Sequence, residues 1–254
     1  MAYFDRLDET TFSPTGLVSG GWDPGEQHIA PALGLLAHAV ETERGNGLQL
    51  ARLSYDILGT LPIEPVRVHV EVLRPGRTIE LVQATLSHSG RPAVLLRAWL
   101  LRAYDTVDLA GSSFPTVPGP DDMPVWDPDG TWSGEFVRSV EARRCQEEPG
   151  RAMSWVRTSV PLVGDEPVSA TARALGLIDI ANGLTPRRPT DQVAFPNVDL
   201  TVHLVGPPRS DWLGFDTTVT FGPTGLGLTH TVLHDTHGPL GVVSQSLTVR
   251  PRPS

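Results

Sequence analysis

One stretch of this chain is written twice, and a duplicated stretch narrows the folds open to it more than any single motif does. Ala32-Leu33-Gly34-Leu35-Leu36-Ala37-His38-Ala39-Val40 reads against Ala174-Leu175-Gly176-Leu177-Ile178-Asp179-Ile180-Ala181-Asn182 at an offset of 142, with five identities and Leu36 opposite Ile178. In the first copy Ile29, Ala32, Leu33, Leu36, Ala37 and Val40 recur every three or four residues, which predicts a helix ending near Gly45. Gly34, Leu35 and Ala39 widen the apolar stripe beyond one face, so a sheet should wrap this helix. The second copy predicts a helix over Val168 to Leu184. A Gly/Pro-rich start precedes each helix, and strand-like segments follow each and halt at Arg102 and Arg250.

The strands read most clearly in the first half. Leu48 to Leu58 opens a sheet, and Val66, Val68, Val70 and Val72 then alternate with Arg67, His69 and Glu71, the period-two signature of a strand with one wet face. Turns at Arg74-Pro75-Gly76-Arg77 and Ser89-Gly90-Arg91-Pro92 separate Thr78 to Ser87 from Ala93 to Arg102. Residues 105–134 are rich in proline and glycine and lack periodicity, which marks a linker. Beyond it, strand-like pieces are expected at Phe136 to Ala142 and Met153 to Val163. Strands at Val198 to Val205, Trp212 to Phe221 and Leu226 to Val249 follow the second helix, the last folded once at Asp235-Thr236-His237-Gly238. The order matches the first half, so the chain divides into units 1–104 and 135–254 joined by 105–134.

Charge and cysteine content exclude several partners. A net charge of -9 with no basic stripe argues against nucleic acid and against an anionic membrane surface. No export signal and no run of 18 apolar residues is visible, and the lone Cys145 has no internal partner for a disulfide, so a cytoplasmic protein without membrane insertion is expected. His230, His234, His237 and Asp235 suggest a metal spacing, but residues four apart on a strand stand about 13 Å apart, so no metal is expected there.

A helix followed by antiparallel strands that curl around it is the hotdog arrangement. Two in one chain make an α+β double hotdog. Asn197 to Leu204, Trp212, Gly225-Leu226-Gly227, Asp235, Gly238-Pro239, Gln245-Ser246-Leu247 and Pro251-Arg252-Pro253 together resemble the C-terminal half of acyl-CoA thioesterase II-like proteins. The resemblance implies an acyl-CoA substrate, hydrolysis to free acid and coenzyme A, and no cofactor. It further implies an Asp, a Thr and a Gln on successive strands that hold one water, and the matching positions are Asp199, Thr220 and Gln245. At offsets of 147 to 148 the first half has Arg52, Val72 and Arg97 there, so one site per chain is expected. The strand phase sits awkwardly with this set: Asp199 and Thr220 alternate with Thr201 and Thr218, whereas Gln245 alternates with Val243 and Leu247.

Asp179 competes for the role of base. It replaces Ala37 of the first copy, and a carboxylate on an apolar helix must be paired, hydrogen-bonded or functional. Oxyanion donors are expected among backbone amides at the Gly20-Gly21 entry to the first helix, since helix N-termini offer unpaired N–H groups. Arg187, Arg188 and Arg209 are the expected contacts to coenzyme A phosphates. Two further readings stay open: a non-catalytic acyl-thioester binding protein, and an enoyl-CoA hydratase-type enzyme, for which Asp199 and His203 lie far apart on one strand. Two units in one chain already mimic a dimer, and homo-oligomerisation through an exposed sheet face is a further expectation.

Overall fold

Alternating apolar residues make strand the dominant element. The described residues, 1–44, 47–128 and 131–252 of this computed structural model, pair into one large antiparallel sheet with few helices. The first half contributes β1 (Phe4–Arg6), β2 (Thr11–Pro14), helix α1 (Ile29–Glu43), β3 (Leu48–Ile57), β4 (Val66–Arg74), β5 (Ile79–His88) and β6 (Arg91–Arg102). The second contributes β7 (Val125–Trp126), α2 (Glu135–Arg138), β8 (Glu141–Glu148), β9 (Arg151–Arg157), α3 (Ala170–Leu175) and α4 (Ala181–Leu184). It then adds β10 (Val193–Ala194), β11 (Asp199–Leu204), β12 (Leu213–Phe221), β13 (Leu226–Asp235), β14 (Gly238–Thr248) and β15 (Arg250–Pro251). The sheet order is β1-β2-β4-β5-β6-β3-β11-β14-β13-β12-β9-β8-β7, while β10 and β15 pair apart from it.

Outward from the junction of β3 and β11 the order reads the same on both sides, β6-β5-β4-β2-β1 against β14-β13-β12-β9-β8, with β7 an extra strand at one edge. Ser54 and Thr201, which are 147 residues apart, sit opposite each other at that junction, and their hydroxyls hydrogen-bond at 3.0 Å. Contact between a residue and its own equivalent occurs only on a two-fold axis. The helices repeat the sign: a Cβ added to Gly34 would lie 2.7 Å from the Cα of Gly176, its partner in the duplicated stretch. Glycine at both positions lets the two helical segments cross at backbone contact.

Helix α1 has no wet face over most of its length, and every residue from Ala30 to Val40 is buried. Its sheet covers one side and α3 the other. Full burial of side chains such as Leu33, Leu35 and Leu36 stabilises the fold by about 1.5–3 kcal/mol each. Pro31 is tolerated because the first turn has no intrahelical acceptor for its missing N–H. Gly45, the expected helix end, and Pro253 lie outside the described residues; the last helical residue is Glu43.

The second helix departs from expectation. Instead of one helix over Val168 to Leu184, α3 stops at Leu175, a 3-10 turn spans Ile178–Ile180, and α4 closes the segment. Gly176 and Asp179 are weak helix formers, and the break falls at them rather than following the apolar period. Phe136 also differs from expectation, lying in α2 with strand resuming only at Glu141. Among the described residues no helix is long and apolar enough to cross a membrane.

Candidate active site

The break in the second helix sets Asp179 in its 3-10 turn, where the side chain is buried and lines a cavity of about 490 Å³ between the two halves. Two amides hold it. Asn197, just before β11, donates from Nδ2 to Asp179 Oδ1 at 2.7 Å, and Gln245 of β14 donates from Nε2 to the same oxygen at 2.9 Å. Oδ2 is left without a protein partner among the described residues. Burial pushes the Asp179 carboxyl up from 3.8 to about 7, against the two hydrogen bonds, which favour the charged form. A carboxylate poised near neutrality suits proton transfer. Gln245 Oε1 and Thr229 Oγ1, on residues paired across β13 and β14, are buried polar atoms without partners among the described residues.

The first half supplies the facing wall. The cavity is lined there by Gly20 to Trp22, His28, Ile29 and the Ile57 to Leu61 loop. His28 caps α1: its Nδ1 accepts the Ala30 N–H at 3.2 Å, and burial lowers its pKa to about 4. The Ile29 N–H, at the first helical position, faces no intrahelical acceptor. Trp22, Trp132 and Phe195 pack edge-on at centroid distances of 4.8 to 6.3 Å. Trp132 Nε1 donates to Gly183 O at 3.1 Å, which ties the expected linker to the end of α4.

The pseudo-two-fold relation supplies a control within the molecule. Offsets of 142 and 147 place Ala37, Leu50 and Ala98 where the second half has Asp179, Asn197 and Gln245, and all three are buried and apolar. The strand register fixes Ala98 as the counterpart of Gln245, since Ala98 faces Val82 as Gln245 faces Thr229; the expected counterpart, Arg97, is one residue out.

The structure separates the three residues that the family resemblance groups. Gln245 reaches the cavity carboxylate, but Asp199 and Thr220 project from the other face of the sheet. Asp199 Oδ1 accepts the Ser246 N–H at 2.6 Å, and Thr220 is exposed. The cause is strand phase, because Leu200 and Val202 turn inward on β11 and Val219 on β12, which sends their neighbours outward. Gly20 and Gly21 do line the cavity, yet the Gly20 N–H is already bonded to Glu26 O at 2.7 Å, and α1 starts eight residues after Gly21.

Arg187 and Arg209 bond locally, to Pro149 O and beside Asp235, and Arg188 is exposed; none of the three lines the cavity. Arg250 and Arg252 do line it, and Arg252 lies 5.7 Å from the Trp22 ring. Asn197, His28, Trp132 and these two arginines are the site residues that sequence reasoning missed. Asn197 lies inside the stretch that carries the family resemblance, two positions before Asp199. Among the described residues no group of three or more His, Cys, Asp or Glu is placed to hold a metal ion.

Known proteins share this architecture. A hotdog-fold protein from Alicyclobacillus acidocaldarius superposes with a TM-score of 0.78 at 14% identity, over 98% of this chain and 96% of that one. The tesB protein of Mycobacterium avium subs paratuberculosis gives 0.71 at 20% identity, over 98% and 96%. Acyl-CoA thioesterase II TesB2 of Mycobacterium marinum gives 0.68 at 15% identity, over 99% and 96%. At these identities the likeness shows the hotdog fold. No curated protein matches the sequence. The model of the acyl-CoA thioesterase N-terminal domain matches residues 18–101 and that of the C-terminal domain residues 120–249, so the chain belongs to the acyl-CoA thioesterase family.

Proposed function

We propose that the chain is a double hotdog that hydrolyses acyl-CoA thioesters at one site between its halves, with Asp179 as general base. The observation that carries this reading is the buried Asp179 carboxyl, held by Asn197 and Gln245 at the cavity wall and raised to about 7. Its counterpart in the other half is Ala37, so only one of the two related positions supports proton transfer.

The chemistry follows from these atoms. A water hydrogen-bonds to Asp179 Oδ2, the carboxylate oxygen left without a protein partner among the described residues, while Asn197 and Gln245 hold Oδ1. The water oxygen attacks the thioester carbonyl carbon while Asp179 takes the proton, and positioned base catalysis of this kind contributes about 10²–10⁴-fold. The tetrahedral intermediate collapses with cleavage of the C–S bond. Coenzyme A leaves as a thiolate, which needs little acid assistance because a thiol pKa is about 8.5. The acyl group occupies the apolar part of the cavity around Ile29, Leu61 and Leu184. Arg250 and Arg252, which line the cavity, are the cationic partners for the phosphates of coenzyme A in this reading.

The test is thiol release from short, medium and long acyl-CoAs, with the free acid identified as co-product. Release from at least one chain length supports hydrolysis. Calorimetric binding with no release from any of them would leave a binding protein, and hydration of an enoyl-CoA with the thioester intact would move the chemistry elsewhere.

A further inference from the structure

The family match does not assign the cavity's one imidazole. His28 is the N-cap of the fifteen-residue helix α1, with extended backbone at φ -64° and ψ 131°. Because Nδ1 accepts the Ala30 N–H, that nitrogen carries a lone pair, and the single ring proton of the neutral form sits on Nε2. Nε2 has no partner among the described residues. The ring packs on Phe136 with centroids 4.3 Å apart, which fixes its plane, and it lines the same cavity as Asp179 from the opposite half.

We infer that His28 is a catalytic residue whose Nε2–H donates to the thioester carbonyl oxygen and stabilises the negative charge that develops there. This rests on the thioesterase reading above. The geometry favours a donor over a base, because a base needs a free lone pair and the lone pair of His28 is already committed to the helix amide. Burial and the positive end of α1 both disfavour the imidazolium, so the ring stays neutral and keeps its donor proton through the physiological range. A neutral imidazole at a helix N-terminus is a known way to polarise a carbonyl without a titrating charge. The same locked tautomer argues against an Asp–His acid-base pair of the hydratase type, in which the imidazole must accept a proton.

The test separates the donor from the cap. His28→Asn keeps a strong N-cap, because Asn also accepts the first-turn amide, but its short side chain withdraws the donor from the cavity. The expected result is a fall in kcat of about 10²–10³-fold with KM little changed and the melting temperature retained, the scale found on removing one oxyanion donor. A spectroscopic arm needs no turnover. Bound to Asp179→Asn, an acyl-CoA should show its carbonyl stretch at lower frequency than the free ester, and adding His28→Asn should return it toward the free value. A His28→Asn enzyme within about threefold of the wild type, or a bound carbonyl band indifferent to residue 28, overturns the assignment while leaving the base assignment to Asp179 standing. A wild type that releases no thiol removes both.

Discussion

At the scale of single residues, one buried carboxyl changes its protonation near neutrality. Asp179 is raised to about 7 in the folded protein, so kcat/KM should fall about tenfold per pH unit below that value and level off above it. A pH–rate profile checks this, and an acid limb near 4 would point to a different base. The stability consequence has the opposite sign. Between its ordinary value of 3.8 and about 7 the folded state holds a proton that the unfolded state has released, so stability falls as pH rises through that window and then stays low. Three pKa units correspond to about 4 kcal/mol as an upper bound. Asp179→Asn keeps an acceptor oxygen for Asn197 and Gln245 and carries no charge. Denaturant unfolding at pH 8 should therefore find it more stable, on the order of 2 kcal/mol, with a flatter dependence on pH.

At the scale of elements, the crossing of α1 and α3 depends on two glycines from the duplicated stretch. Gly34→Ala would place a methyl carbon 2.7 Å from Gly176 Cα and 2.8 Å from Ala172 O, where only backbone can move aside. Overpacking of this kind costs about 1–3 kcal/mol, outweighing the roughly 1 kcal/mol that Ala gains in helix propensity. A lower melting temperature for Gly34→Ala is the expected outcome, and an unchanged or raised one would mean the helices can part cheaply. The duplicated stretch made both helical segments and their equivalence legible, because apolar spacing survives in sequence. It did not show the break after Leu175, since Leu177, Ile178, Ile180 and Ala181 keep the helical spacing while Gly176 and Asp179 end the helix. Strand phase was also readable: Leu200 and Val202 flank inward, which sends Asp199 outward, and Gln245 between Val243 and Leu247 points in. The family pattern drew attention to the charged Asp199 over the neutral Asn197, whose value as a donor emerges only with Asp179 beside it. Trp132 was hidden by its neighbours, because a proline-rich segment gives no period from which burial can be read.

At the scale of the whole molecule, the proposed site draws unequally on two related halves. The second half has Asp179, Asn197 and Gln245 where the first has Ala37, Leu50 and Ala98, and the first half contributes the helix N-terminus that lines the same cavity. Titration with a non-hydrolysable acyl-CoA analogue should accordingly saturate at one ligand per chain by calorimetry, whereas two per chain would mean that the apolar counterpart also binds. Single-turnover thiol release from Asp179→Asn and Asp199→Asn beside the wild type decides whether Asp179 or Asp199 activates the water. The prediction is a loss of at least about a hundredfold in Asp179→Asn and less than about threefold in Asp199→Asn. The reverse ordering would contradict it and return the base to the outer face of the sheet.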